Sequence, residues 1–346
     1  KYQNTQYPSE DLNARWQHEY AILRSIDSEW IVKAQNIEKN NNSLVLVLEG
    51  FSPTNLAQTV ALHNLDLSQR LQLAIQLCEA LSDVHKYRLI HNDISPKNIL
   101  VDLQTLRIKL CDFALATRLL NVQVDSLNKH VHGTLDYMSP EQTGRTNLSV
   151  DYRSDFYALG VTLYELFVGC RPFEFKDPMA LLYAHLARAP EALNAIDSTI
   201  PEQLSNIILH LLAKSPDDRY QSSFGLQADL TRCLNEWKEE GHISAFPIGE
   251  SDRPERFNVS HKLYGREQET AAILAAYERA SDGRSELLLV GGCSGIGKTA
   301  LVDQLHKPVV LKNGLFIKGK CEQFIGIQPY STLAQAFRPL MQQLLN

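Results

Sequence analysis

The chain has 346 residues, 44% hydrophobic and 21% charged, with a formal net charge of −6. That composition supports two or three packed domains, excludes a largely disordered chain, and argues against a broad nucleic-acid or anionic-membrane surface. The six cysteines (Cys78, Cys111, Cys170, Cys233, Cys293, Cys321) stand singly, which argues against a disulfide framework or zinc site and fits a reducing cytoplasm, and no apolar run reaches the roughly 18–20 residues of a membrane span.

In chain order, Pro8-Ser9-Glu10-Asp11 is a helix-start cluster with acids in the first turn. It predicts a helix through Trp16 and Glu19 towards Ile26. Residues 43–49 (S-L-V-L-V-L-E) read as a short strand ending in a turn at Gly50. Residues 68–85 carry two apolar stripes at helical spacing, Leu71, Ala74, Cys78, Leu81 and Leu73, Leu77, Ala80, Val84. A helix apolar on both sides is a buried one. Residues 89–90, 99–101 and 108–110 read as strand pieces around a loop, and 155–168 as a strongly apolar helix. Further helices are expected over 178–188, 201–213 and 226–237. Residues 241–258 hold two glycines, two prolines and several charges, the composition of a linker. A further unit starts near Leu263. No internal repeat is present.

The strongest chemical signal is His91-Asn92-Asp93-Ile94-Ser95-Pro96-Lys97-Asn98 followed by Asp112-Phe113-Ala114. This fits H-x-D-x-x-x-x-N then D-F-x, each preceded by an apolar piece. Transfer of a phosphoryl group from ATP needs a carboxylate to orient the attacking hydroxyl and oxygen ligands for Mg²⁺ on the phosphates. Asp93 suits the first role, and Asn98 and Asp112 suit the second. Downstream come Gly133-Thr134-Leu135-Asp136-Tyr137-Met138-Ser139-Pro140-Glu141, then Asp155-Phe156-Tyr157-Ala158-Leu159-Gly160, then Arg219 in S-P-D-D-R-Y.

With these five motifs in order, the sequence resembles the eukaryotic-like protein kinase family over about residues 1–237. The resemblance implies a buried ion pair between Glu141 and Arg219, and a role for Asp155 in anchoring the catalytic-loop backbone. It implies a protein substrate phosphorylated on a Ser or Thr hydroxyl, with Thr134 beside the catalytic Asp. In the small lobe it implies Lys1 as the lysine that aligns the ATP phosphates and Glu19 as its helix partner. Leu48 would line the adenine pocket, with Glu49 to Phe51 as hinge.

The chain departs from the family in four places. No glycine-rich loop precedes Lys1, so the small lobe reads as truncated. Asn92 replaces the Arg that pairs with an activation-loop phosphate, which implies activity independent of phosphate on Thr117 or Ser126. Ser95 stands where a phosphate-contacting Lys is usual; the resemblance implies that Lys97, two residues on, takes its place as a basic residue there does in tyrosine kinases, which weakens the Ser/Thr assignment, while Thr134 still favours it. Ala114 replaces the Gly of D-F-G, which restricts the backbone without stopping metal binding.

A second nucleotide site is expected at Gly292-Cys293-Ser294-Gly295-Ile296-Gly297-Lys298-Thr299, which matches G-x-x-x-x-G-K-[ST] between a predicted strand, 287–290, and a helical A-L-V-D-Q-L. Its glycines (Gly292, Gly295, Gly297) let backbone N–H groups turn towards phosphates; Lys298 contacts the β/γ-phosphates and Thr299 ligates Mg²⁺. Strands are expected at 309–311 and 315–317, but they run into Lys312 and Lys318 rather than an acid, so no complete hydrolytic set is visible. Leu263-Tyr264-Gly265-Arg266-Glu267 resembles the entry of AAA-like ATPases.

The expected architecture is therefore an α+β bilobal protein-kinase fold with a truncated small lobe, followed by an α/β P-loop NTPase domain cut off by the end at Asn346. The boundaries are 1–238 (small lobe 1–51, large lobe 54–238), a linker over 239–262, and the ATPase domain over 263–346. The order of modules resembles large bacterial signalling proteins in which GAF and sensor histidine kinase domains follow in the same polypeptide. Two rival readings stand beside the kinase. One is a catalytically weak scaffold that senses nucleotide at both sites; the other is a kinase of small molecules.

Overall fold

The computed structural model describes residues 10–40, 43–52, 54–118, 134–146, 148–254, 265–293 and 295–305, with separate positions between 308 and 341. Its contacts divide the chain into residues 1–260 and 261–346. In the first unit, α1 (Glu10–Ser25) packs on an antiparallel hairpin of β1 (Ala34–Asn40) and β2 (Ser43–Leu48). Trp16, Ile22, Leu23 and Ile26 are buried with Leu46 of β2.

The remainder of the unit is mainly helical. Helices α2 (Leu56–Leu62) and α3 (Leu67–Lys86) both open on capping boxes. Asn55 Oδ1 accepts from Gln58 N at 2.9 Å, and Asp66 Oδ1 accepts from Gln69 N at 2.8 Å. Each cap satisfies backbone donors that the first turn leaves unpaired. Both apolar stripes of α3 are buried, as their spacing predicts.

Four short strands follow. β3 (Leu89–Ile90) pairs antiparallel with β6 (Thr117–Arg118), and β4 (Ile99–Asp102) pairs antiparallel with β5 (Arg107–Leu110). These two ladders hold the ends of two loops, 91–98 and 111–116, and so bring them side by side.

Helix α4 (Arg153–Val168) is buried on nearly every face, which explains its apolar sequence. Around it lie α5 (Pro178–Ala187), α6 (Leu193–Ile196), α7 (Glu202–Leu211) and α8 (Ser223–Glu240), the last running along α3. At Gly160 an added Cβ would stand 2.8 Å from Leu211 Cβ, so glycine permits the close approach of α4 to the end of α7. Helix α8 ends at Gly241 with φ 70.

Several expectations need correction. Residues 242–252, read as linker from composition, pack on the first unit. Phe246 is buried, its carbonyl accepts from Gln203 Nε2 at 2.9 Å, and Arg232 stacks over its ring at 4.2 Å. Apolar residues spaced through the segment (Ile243, Phe246, Ile248) outweigh its Gly and Pro content.

In the second unit, α9 (Glu267–Ser281) and α10 (Lys298–Asp303) form as helices, but residues 287–290 are irregular, with Leu287 85% and Leu289 87% exposed. A strand needs a hydrogen-bonded neighbour, and none borders this segment among the described residues. Val309, expected in a strand, is helical; Phe316 and Ile317 are irregular. Among the described residues no helix is long and apolar enough to cross a membrane.

Candidate active site

The loop after β3 carries His91, Asn92 and Asp93, and Asp155 near the start of α4 holds it. The Asp155 carboxylate accepts from His91 N (Oδ2, 2.9 Å) and Asn92 N (Oδ1, 2.9 Å), and it contacts His85 Nε2 at 3.0 Å. It is 1% exposed, so the two backbone donors replace lost hydration. The two bonds tie the backbone of residues 91 and 92 to α4.

Asp93 follows directly. Asn98 Nδ2 donates to Asp93 O and to Asp93 Oδ2, both at 2.9 Å. Thr134 N donates to Asp93 Oδ1 at 3.0 Å. Thr134 thus meets Asp93 through its backbone amide. A 3-10 turn (Pro96–Asn98) brings Asn98 back to Asp93. Lys97 projects from that turn and is exposed, while Ser95 is buried.

The second loop is tied to the first. Cys111 N donates to Asn98 O at 2.9 Å, so the residue that precedes Asp112 is bonded to Asn98. The backbone takes positive φ at Asp112 (φ 66) and ordinary φ at Ala114, so the missing glycine leaves no strained position there. Phe113 is fully buried and meets His91 edge-on, with ring centroids 4.5 Å apart. Asn92 joins the two loops, with Nδ2 donating to Leu115 O (3.0 Å) and Thr117 Oγ1 (2.9 Å). Its own carbonyl accepts from Gln142 Nε2 at 3.0 Å.

Behind the site, Arg219 makes a two-pronged ion pair with Glu141, NH1 to Oε1 at 2.7 Å and NH2 to Oε2 at 2.9 Å. Both side chains are fully buried. Burial pushes the Glu141 carboxyl up, but the Arg219 guanidinium and the Ser154 hydroxyl outweigh it and hold Glu141 below the usual carboxylate range.

On the small-lobe side, Glu19 of α1 is fully buried, and Leu48 ends β2 against the core. Glu49 pairs with Lys109 and accepts from Lys33 N at 2.9 Å, and Lys109 also lies over the Phe51 ring at 5.6 Å. The connection 49–55 is laced to β4, with Ser52 Oγ donating to Val101 O at 2.6 Å. Lys1, Ser126 and Gly133 lie outside the described residues.

In the second unit, Gly295 (φ 80) and Gly297 (φ 93) take the left-handed backbone that only glycine adopts without strain, as a phosphate-cradling loop requires. Lys298 Nζ donates to Gly292 O (2.9 Å) and Cys293 O (2.7 Å), folding back over the loop. Thr299 follows it in α10 and is exposed; Ser294 lies outside the described residues.

The oxygen donors of Asn98 and Asp112 fit Mg²⁺, which takes one or two carboxylates and completes its shell with phosphate and water. Sequence reasoning passed over Arg153, Gln142 and Gln221. Their signal is weak, because a buried or half-buried polar residue on a helix or turn announces itself only through its partners.

Residues 1–230 match the family described as protein kinase domain, and residues 262–346 match the AAA ATPase domain. The chain is 30% identical to hybrid signal transduction histidine kinase G of Dictyostelium discoideum, over 82% of this chain and 11% of that protein. It is 30% identical to histidine protein kinase 1 of Candida albicans, over 79% of this chain and 12% of that one. It is also 30% identical to serine/threonine-protein kinase PrkC of Bacillus subtilis, over 64% of this chain and 34% of that one. The chain thus spans a small part of the relatives it matches.

Proposed function

Because the chain belongs to the protein kinase family, we propose that it transfers the γ-phosphoryl group of ATP to a serine or threonine hydroxyl of a protein, and that residues 292–299 bind a second nucleotide. The observation that carries the reading is the Asp93 carboxylate, oriented by Asn98 Nδ2 and Thr134 N and held on a loop pinned by Asp155.

In this mechanism Asp93 accepts a hydrogen bond from the acceptor hydroxyl and takes its proton as the oxygen attacks. Asn98 and Asp112 would hold Mg²⁺, which would neutralise charge on the phosphates. Lys97, exposed beside them, faces the transferring group. Glu19 orients the lysine that aligns the nucleotide, the role assigned to Lys1. Leu48 and the segment from Glu49 to Phe51 border the adenine. The Glu141–Arg219 pair and Thr134 shape the surface that receives the protein substrate, and this favours a protein over a metabolite.

Gly292, Gly295 and Gly297 give the phosphates of the second nucleotide access to backbone N–H groups, with Lys298 and Thr299 as its charged and Mg²⁺ contacts. A histidine kinase domain elsewhere in the same polypeptide agrees with the names of two relatives. A cytoplasmic location agrees with the free thiols of Cys78, Cys111, Cys170, Cys233 and Cys293. Transfer of labelled γ-phosphate to protein acceptors, with Asp93→Asn as control, tests the reading. Transfer to metabolites alone, or nucleotide binding without transfer, would replace it.

A further inference from the structure

Residues 242–252 lie past the stretch that matches the kinase family, yet they are seated on the kinase unit. The seat is built at Asp252. Its Oδ2 accepts from Gln221 N and its Oδ1 from Ser222 Oγ, both at 2.6 Å. Ser222 is the N-cap of α8 and accepts from Gly225 N at 3.1 Å. Gly225 itself carries no Cβ because none would fit: an added one would stand 2.5 Å from Asp252 Cβ. Upstream, Gly249 N donates to Asp229 Oδ2 at 2.8 Å, and Phe246 is buried under Arg232.

Gln221 leads from that seat into the site. Its Nε2 donates to Arg219 O at 2.6 Å, and its Oε1 accepts from Arg153 NH1 at 3.1 Å. Arg153 O in turn accepts from Arg219 NH1, the same nitrogen that pairs with Glu141. Arg153 and Arg219 are each 2% exposed, so neither can exchange these partners for water without opening the core.

We propose that segment 242–252 is a clasp whose carboxylate, Asp252, is a positioning residue for the protein-substrate surface, acting through Gln221 and Arg153 on the Glu141–Arg219 pair. The proposal rests on the kinase reading for its kinetic consequence and on geometry alone for its structural one. Two short bonds from neutral donors to a carboxylate are stronger than neutral ones, so losing Asp252 frees the backbone of Gln221 first. The ATP-side groups, Asn98 and Asp112, lie outside this relay.

The test uses the full-length protein with Asp252→Ala and Gly225→Ala. The second keeps the carboxylate but displaces it, and alanine is otherwise the better helix former. Both variants are expected to raise KM for the protein substrate about tenfold with KM for ATP unchanged. Both should speed amide hydrogen exchange over 139–144 and 219–225. Asp252→Asn, which keeps one of two acceptors, should fall between, and the exposed neighbour change Arg253→Ala should do nothing. Parallel rises in both KM values, or unchanged KM and exchange in both variants, would overturn the clasp. If the wild-type protein transfers no phosphate, the kinase reading fails, and the exchange rates still decide the clasp.

Discussion

Asn92 performs two tasks with one residue. Its backbone takes φ 65, a region that asparagine enters more readily than most residues, and its amide ties Leu115 and Thr117 to the catalytic loop. The amide thus bridges that gap with neutral hydrogen bonds, from which activity independent of phosphate on Thr117 or Ser126 is predicted. Thr117→Ala combined with Ser126→Ala should leave kcat within about fivefold, because one neutral hydrogen bond is worth roughly 1 kcal/mol. Asn92→Leu removes both amide bonds and should lower kcat more than the double alanine variant; steady-state rates at saturating ATP compare them.

Glu141→Ala leaves the Arg219 charge buried and unpaired and should cost about 3–5 kcal/mol in denaturant unfolding. His185 gives a pH signature. Burial first, and the nearby Lys214 charge second, push its imidazole down to about 3, from an ordinary value of 6.5. Only the unfolded chain takes up that proton between those limits, so stability falls as pH drops from 6.5 towards 3. His185→Phe should flatten that part of the stability–pH curve; an unchanged slope would contradict the assignment.

Among elements, the helices declared themselves through spacing, and the site through motif order. The two stripes on α3 read directly as a helix buried on both sides, and α4 read as a core helix from its run of apolar residues. Asp93 and Asn98 share one short loop, so their spacing in the chain already predicted that they meet, whereas the bond from Asp155 to that loop crosses more than sixty residues and was expected only from the family resemblance. Strand 287–290 misled, since an apolar run says nothing of whether a neighbour exists to pair with it. The 242–252 segment misled in the other direction, because glycine and proline mark turns whether or not the chain between them is packed. The α4–α7 contact offers a test at this scale. Gly160→Ala places a methyl against Leu211 and Leu212 and should lower stability by about 1–3 kcal/mol, measured by thermal or denaturant unfolding.

At the scale of the whole molecule, two nucleotide-binding sequences share one chain, and each can be silenced separately. Lys298→Ala should weaken nucleotide binding at 292–299 more than tenfold, roughly 1.4 kcal/mol or more, while leaving binding in residues 1–260 intact. Titration with a fluorescent ATP analogue would resolve two sites in the wild type and one in the variant. The central claim, however, is the chemistry at Asp93. Its most direct measurement is transfer of labelled γ-phosphate from ATP to a protein acceptor by the full-length protein, set against Asp93→Asn. Phosphoserine or phosphothreonine in the acceptor, with the rate falling about 10²–10⁴-fold in the variant, is the predicted result. Equal label from both proteins, or none from either while ATP still binds, would contradict it.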